Sequence, residues 1–115
     1  MALDPQKFLP LREPTFFILL SLANGRKHGY AILKEVESLS NGKIVLSNGT
    51  LYGALTRLMD QGLIERLPDD ETPAPGLPRK AYCLSQNGSL VLNAEIDRLE
   101  NMLRHARLPV AKETP

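Results

Sequence analysis

The chain has 115 residues, a hydrophobic fraction of 43% and a formal net charge of +1. These values describe a single domain with enough apolar residues to form a core, and they exclude global disorder. They also exclude an overall basic coat, so any contact with nucleic acid must come from locally placed Lys and Arg.

The number of cysteines and the length of the longest apolar run exclude further classes of protein. The single cysteine, Cys83, excludes an intramolecular disulfide and a cysteine-based zinc cluster. The longest apolar stretch, residues 16–20, is far shorter than the roughly 18 residues needed to cross a bilayer, and no signal-peptide pattern precedes it. We therefore expect a soluble cytoplasmic protein.

The first predicted elements are an arm and a buried helix. Residues 1–12 contain two prolines and no clear period, which predicts a flexible N-terminal arm. Pro14 suits the first turn of a helix, and an Asn-Gly pair ends the apolar run that follows, so residues 15–23 are predicted to be helical. A strand remains the alternative for residues 16–20, because so short an apolar run has no decisive period.

Two amphipathic helices are predicted next. Residues 28–40 place Ile32 and Val36 on one face and charged side chains on the other. The third helix is predicted to begin after Ser47, a good N-cap, and to end before Gly62. Its apolar residues recur with helical spacing: Leu51, Ala54, Leu55, Leu58 and Met59.

After Gly62 the pattern changes to that of a two-stranded hairpin. Residues 63–67 and 79–84 are predicted strands, joined by a long proline-rich loop. The last helix is predicted from the N-cap Ser85 to about residue 108, where a proline follows.

The last helix carries an apolar seam with the spacing of a coiled coil. Two heptads are marginal for a free coiled coil, so the seam is predicted to pair with the same helix, or with the N-terminal arm, of a second copy. The predicted dimer-interface residues are Leu92, Ile96, Leu99, Leu103 and Ala106. The expected organisation is an arm at 1–12, a winged-helix domain at 13–84, a dimerisation helix at 85–108 and a tail at 109–115.

Three helices, a hairpin and a terminal helix follow the order of a winged helix-turn-helix, in which the third helix enters the major groove. Residues 13–20 (EPTFFILL) and 28–32 (HGYAI) resemble the opening of the PadR family of bacterial transcriptional regulators. The other stretches similar to that family are 48–55 (NGTLYGAL), 57–58 (RL), 62–64 (GLI) and 76–84 (GLPRKAYCL), the last corresponding to its wing and return strand. The single terminal helix resembles the short PadR subfamily, whose members dimerise through it.

Pattern and resemblance together predict a mostly α-helical fold with a small β-hairpin. The resemblance implies a homodimeric regulator of the repressor type, bound to a pseudo-palindromic site on double-stranded DNA. It also implies release by a small hydrophobic effector that is sensed near the dimer interface.

Candidate DNA contacts lie on the side of the third helix opposite its apolar face. Gly49 and Gly53 are poor helix formers whose missing side chains permit close approach to a sugar-phosphate rim. Tyr52 offers a hydroxyl to a phosphate oxygen, and Arg57 can pair with a phosphate or with guanine. The alternatives are a Tyr52 ring packed on the second helix and a solvated Arg57. The full predicted set is Asn48, Gly49, Thr50, Tyr52, Gly53, Thr56 and Arg57.

A second group of candidates lies at the second helix and the wing. Free N–H groups at the start of the second helix favour a phosphate, and basic residues at the base of the wing suit phosphate or minor-groove contacts. These candidates are Lys27, His28 and Tyr30 at the helix, with a half-buried core tyrosine as the alternative for Tyr30, and Arg79 and Lys80 at the wing. The acidic wing tip leaves its own contact with DNA open.

The sequence gives no support for an enzyme or a bound cofactor. His28 and His105 are the only histidines, and no Gly-rich phosphate loop follows a predicted strand. Cys83 is interpreted as a small core residue and not as an oxidation sensor. Because the net charge is near zero, the competing hypothesis is a winged-helix module that binds protein and not DNA.

Overall fold

The structure is a computed structural model that describes residues 3–68 and 80–107. A short 3-10 helix at Pro5–Phe8 precedes the first α-helix. The elements then follow in the order α1 (Glu13–Ser21), β1 (Lys27–His28), α2 (Gly29–Leu39), α3 (Asn48–Asp60), β2 (Ile64–Leu67), β3 (Ala81–Leu84) and α4 (Gln86–Ala106). This is the predicted arrangement of a winged helix-turn-helix followed by one long helix, and residues 16–20 are helical.

Local capping chemistry sets the ends of the two longest helices, as predicted. The Ser47 hydroxyl accepts a hydrogen bond from the Thr50 N–H at 3.1 Å and begins α3. The Ser85 hydroxyl accepts one from the Gly88 N–H at 2.9 Å and begins α4. After α3 the chain turns at Gly62, whose φ of 74° lies in the left-handed region that favours glycine.

The sheet has three antiparallel strands in the order β1-β3-β2. The two strands of the predicted hairpin are β2 and β3, and β1 is an additional strand that was not predicted. Lys27 pairs with Tyr82 and His28 with Ala81. The sequence predicts no strand at residues 27–28, which lie at or just before the predicted start of the second helix, because two residues are too few to show an alternating pattern. Their pairing covers the outer edge of β3 and ties the start of α2 to the wing.

One core joins the three helices of the winged-helix domain, the sheet and the first half of α4. The apolar positions predicted on α3 supply its centre, since Leu51 and Leu55 are fully buried. The remaining buried apolar residues of this cluster are Ile18, Leu19, Leu22, Ile32, Val36, Ala54, Leu58, Leu63, Ile64, Tyr82, Val91 and Leu92.

The start of α4 lies directly against the start of β2. A Cβ atom added to Gly88 would lie 1.9 Å from the carbonyl oxygen of Leu63. Only glycine therefore fits at this position in the first turn of α4. The Ser85 hydroxyl also donates a hydrogen bond to the Gly62 carbonyl at 2.6 Å. These close contacts fix the direction of α4 relative to α3.

The N-terminal segment differs from the loose arm that was predicted. Within its described part, residues 3–12, Leu3, Phe8, Leu9 and Leu11 pack against the core. The prediction failed because these contacts are made with α4, far away in the sequence, and leave no local period.

A buried carboxylate on α4 holds this segment in place. Glu95 is 1% exposed, and its Oε2 accepts a hydrogen bond from the Leu11 N–H at 2.7 Å. The other carboxylate oxygen accepts from the Arg98 guanidinium. The hydrogen bond from Arg98, with a smaller contribution from Leu11, holds the pKa of Glu95 below its ordinary value although burial acts in the opposite direction.

We expect Glu95→Gln to destabilise the protein in a pH-dependent way. The substitution removes a charged acceptor, which costs about 1.5–3 kcal/mol of the free energy of unfolding at pH 7. Because the pKa of Glu95 is lower in the folded than in the unfolded state, its contribution is present above the unfolded-state value of about 4.3 and is lost as the pH falls through the folded-state value. Urea unfolding at fixed protein concentration should therefore show that the difference in free energy of unfolding between Glu95→Gln and the native chain becomes smaller toward pH 3.

The matched control is Glu100→Gln, an exposed carboxylate on the same helix. It should change the free energy of unfolding by no more than about 0.5 kcal/mol at any pH. A gap for Glu95→Gln that stays constant from pH 7 to pH 3 would contradict the role assigned to this carboxylate.

Candidate nucleic-acid interface

The face of α3 opposite the core is exposed along its whole length. With Leu51, Leu55 and Leu58 turned inward, Gly49, Gly53 and Thr56 point away from the protein. The flanks of this outward face carry the other predicted residues of α3, all of them exposed: Asn48, Thr50, Tyr52 and Arg57. The structure therefore brings the predicted α3 residues together on one side of the molecule.

The two glycines of the outward face have open space above them as far as the described residues extend. A Cβ atom added to Gly49 or to Gly53 would have no atom within 4 Å among the described residues. Neither has the left-handed backbone conformation that favours glycine. Internal packing thus gives no reason for glycine at these positions, whereas close approach of an outside molecule to the helix backbone does.

Tyr52 lies partly against the second helix and partly in solvent. The side chain is 45% exposed, yet a Cβ atom added to Gly29 would lie 2.6 Å from its hydroxyl oxygen. The ring therefore rests against the first residue of α2. Burial raises the pKa of Tyr82 on β3, and Tyr52 acts in the same direction.

Arg57 lies on the other flank of α3, toward the N-terminal segment. Its side chain is exposed, and it lines a pocket together with Arg12 and Gln61. No ion pair or side-chain hydrogen bond of Arg57 occurs within residues 3–68 and 80–107. The guanidinium is thus available to a phosphate or a base.

The residues at the start of α2 differ in how freely they could meet DNA. The Lys27 ammonium lies 3.1 Å from a Glu35 carboxylate oxygen and donates a hydrogen bond to the Asn24 side chain at 2.8 Å. A contact with phosphate would have to break these bonds. His28 is half-buried in β1, whereas Tyr30 is 69% exposed, so the alternative of a half-buried core tyrosine is wrong for Tyr30.

The wing is described only in part. Lys80 is exposed at the start of β3, while Arg79 and the predicted wing tip lie outside the described residues. Sequence reasoning did not include Arg66, which is exposed on β2 and pairs in register with Tyr82. Strand alternation gave no signal for it, because its neighbour Glu65 is exposed as well.

Cys83 is half-buried on β3. Burial raises the pKa of its thiol, and Glu65 on the paired strand acts in the same direction. Because the thiolate is the reactive form, both effects make this cysteine less reactive. They favour the interpretation of a small packing residue.

The predicted dimer seam on α4 divides into two halves. Leu92 is 3% exposed and needs no partner to be buried, whereas Ile96 is half-buried where it packs against the core of the same chain. Leu99 is 37% exposed, and the rest of the seam, Leu103 and Ala106, is also exposed. The seam prediction therefore narrows to the C-terminal half of the helix.

A groove adjoins this exposed half of the seam. Its volume is about 340 Å³, and its apolar lining residues include Phe16 and Phe17 of α1, Leu39 at the end of α2, and Leu99.

No helix within the described ranges is long and apolar enough to span a membrane. Those ranges also contain no cluster of three or more potential metal ligands.

The fold and the outward face of α3 define a winged-helix protein, and comparison with known proteins assigns the family. The model of the family described as the Transcriptional regulator PadR-like family matches residues 18–94. The chain therefore belongs to the PadR-like family of transcriptional regulators. It is 36% identical over 83 residues to an uncharacterized 37.1 kDa protein in transposon TN4556 of Streptomyces fradiae, a match that covers 72% of this chain and 22% of that protein.

Solved structures share the fold. A PadR family transcription regulator from Clostridium difficile superposes with a TM-score of 0.69 at 24% identity, over 82% of this chain and 94% of that one. Bacillus subtilis PadR in complex with operator DNA superposes with a TM-score of 0.66 at 21% identity, over 90% of this chain and 53% of that one. At these identities the likeness concerns the fold alone.

Proposed function

We propose that this chain is a homodimeric DNA-binding regulator of the repressor type, and not an enzyme, that acts in the cytoplasm through the outward face of α3. The observation that carries the proposal is the character of that face. It is exposed, it leaves open space above Gly49 and Gly53, and residues 48–57 include no carboxylate and one basic residue, Arg57. A negatively charged duplex can approach this part of the face closely without meeting a like charge, since the carboxylate of the face, Asp60, lies at the last residue of α3.

The surrounding residues supply contacts that would hold DNA in register. Tyr52, Tyr30 and Lys80 are exposed, and they offer hydroxyl or ammonium donors to phosphate oxygens. His28 can join them through its place at the start of α2, and Arg79 remains a predicted contact at the wing. Lys27 is the weakest of the predicted contacts because its ammonium is already engaged by Glu35.

Dimerisation is proposed through the exposed half of α4. The apolar side chains Leu99, Met102 and Leu103 lie close together in sequence on a helix and are each at least one-third exposed. The groove beside Leu99 continues this apolar surface onto α1, so the same helix of a second copy would cover both. Two recognition helices would then read half-sites about 34–36 Å apart on a pseudo-palindromic operator. We further propose that the small hydrophobic effector implied by the family resemblance binds near this interface.

We expect Arg57→Ala to weaken DNA binding without unfolding the protein, since its side chain is exposed. Loss of one phosphate contact should lower affinity by about tenfold and reduce the slope of log K against log salt by about 0.9. Fluorescence anisotropy with the duplex upstream of the protein's own gene, run across a salt series, measures both quantities.

The control for this variant is Arg104→Ala, which removes an equally exposed arginine at the far end of α4. Its slope should match that of the native chain. Equal slopes for Arg57→Ala and the native chain would count against the placement of DNA on α3, and binding of the native chain that ignores salt would favour a protein-binding module instead.

We expect Leu99→Asp to convert the dimer into monomers, because a charge placed in an apolar interface is strongly unfavourable. Light scattering coupled to size exclusion gives the molar mass directly. Leu90→Asp is the matched control, since Leu90 is an exposed leucine on the same helix but outside the seam, and this variant should stay dimeric. A dimeric Leu99→Asp protein would refute the proposed interface.

A further inference from the structure

The N-terminal segment and α3 enclose a pocket that the sequence did not predict. Its volume is about 310 Å³, and its walls come from the segment with the start of α1 on one side and from the second half of α3 with the start of β2 on the other. We call it the arm pocket. The lining residues are Phe8, Pro10, Leu11, Arg12, Thr15, Ala54, Arg57, Leu58, Gln61 and Leu63.

The described residues that line the arm pocket carry only positive charges. Arg12 comes from one wall and Arg57 from the other, and no carboxylate of residues 3–68 or 80–107 lines the pocket. Neither guanidinium forms an ion pair or a side-chain hydrogen bond within the part of the chain that the structure describes. Two other cations are instead paired with carboxylates, Lys27 with Glu35 and Arg98 with Glu95.

Two guanidinium groups that line one cavity, and that have no side-chain partner among the described residues, suit a phosphate group. Each guanidinium presents N–H donors in a planar fork that matches phosphate oxygens, and two such forks can bind a single phosphate from opposite sides. Thr15 and Gln61 add a hydroxyl and an amide to the lining. An anion also relieves the repulsion between the two like charges.

The wall that carries Arg12 is held rigidly. Leu11, its neighbour, donates a backbone hydrogen bond to the buried Glu95 carboxylate at 2.7 Å. Arg12 is the N-cap residue of α1, and its side chain takes no part in capping. The guanidinium is therefore positioned by fixed backbone on both sides while remaining free to bind a ligand.

We propose that Arg12 and Arg57 form a phosphate-binding site in the arm pocket, and that its occupant is a backbone phosphate of the DNA bound by α3. The identity of the occupant rests on the proposed function, because Arg57 lies on the flank of the outward face, one residue from Thr56. The segment before α1 is thus part of the DNA interface.

The first experiment tests the site without DNA. Inorganic phosphate is titrated into the full chain at constant ionic strength, and amide shifts are followed in ¹⁵N–¹H spectra. Saturable shifts are expected along both pocket walls, with binding weakened about tenfold or more by Arg12→Gln and by Arg57→Gln and unchanged by Arg104→Gln. Absence of saturable shifts in the pocket, or equal binding by Arg12→Gln and the native chain, would overturn the site.

The second experiment identifies the source of the phosphate. In a salt series with DNA, Arg12→Gln should lower the slope of log K against log salt by up to about 0.9, and Arg104→Gln should leave it unchanged. If the two arginines share one phosphate, the double variant should have the slope of either single variant. A native slope for Arg12→Gln, with phosphate binding lost in the first experiment, would overturn the DNA source and assign the pocket to a free phosphate compound.

The two experiments separate failure of this proposal from failure of the proposed function. If the native chain binds no DNA, the proposed function fails, and so does the proposal that the bound phosphate belongs to DNA. The phosphate titration still shows whether the arm pocket binds phosphate. If the native chain binds DNA and inorganic phosphate shifts nothing in the pocket, the site fails and the proposed function stands.

Discussion

Burial of the apolar face of α3 fixes the rotation of that helix about its axis, and the rest of the interface depends on this constraint. Leu51 and Leu55 are fully buried, and turning the helix to expose either would cost about 1.5–3 kcal/mol for each side chain. The opposite face is therefore directed outward regardless of what it binds. Its composition of small and polar residues means that an outside molecule meets the helix backbone itself.

The other elements set the surroundings of that face. Pairing of β1 with β3 ties the start of α2 to the wing, and the ring of Tyr52 rests against Gly29 where these parts meet. On the opposite flank, Glu95 holds the N-terminal segment beside α3. The Leu63–Gly88 contact fixes how α4 leaves the domain. One core thus positions both flanks of the outward face and the proposed dimer helix.

Sequence reasoning succeeded where the signal is local. Ser47 and Ser85 cap the helices that they were predicted to cap, and the helical period identified the inward face of α3. It failed where contacts are distant: Leu11 and Glu95 are 84 residues apart, and nothing near either residue marks their bond. The seam of α4 was predicted as one unit, but a spacing pattern does not tell whether Leu92 is buried by its own subunit or by a second one. For the predicted DNA contacts the structure gives exposure and proximity, and binding remains a prediction.

The most direct test of the outward face is Gly53→Ala, measured for stability and for DNA affinity in the same preparation. Open space above Gly53 predicts that alanine raises the free energy of unfolding by up to about 1 kcal/mol through helix propensity. Asn93→Ala, at an exposed position of α4, controls for added helix stability and should leave DNA binding unchanged. The account predicts a more stable Gly53→Ala protein that binds DNA more weakly than the native chain. A more stable protein that binds DNA with native affinity would contradict it.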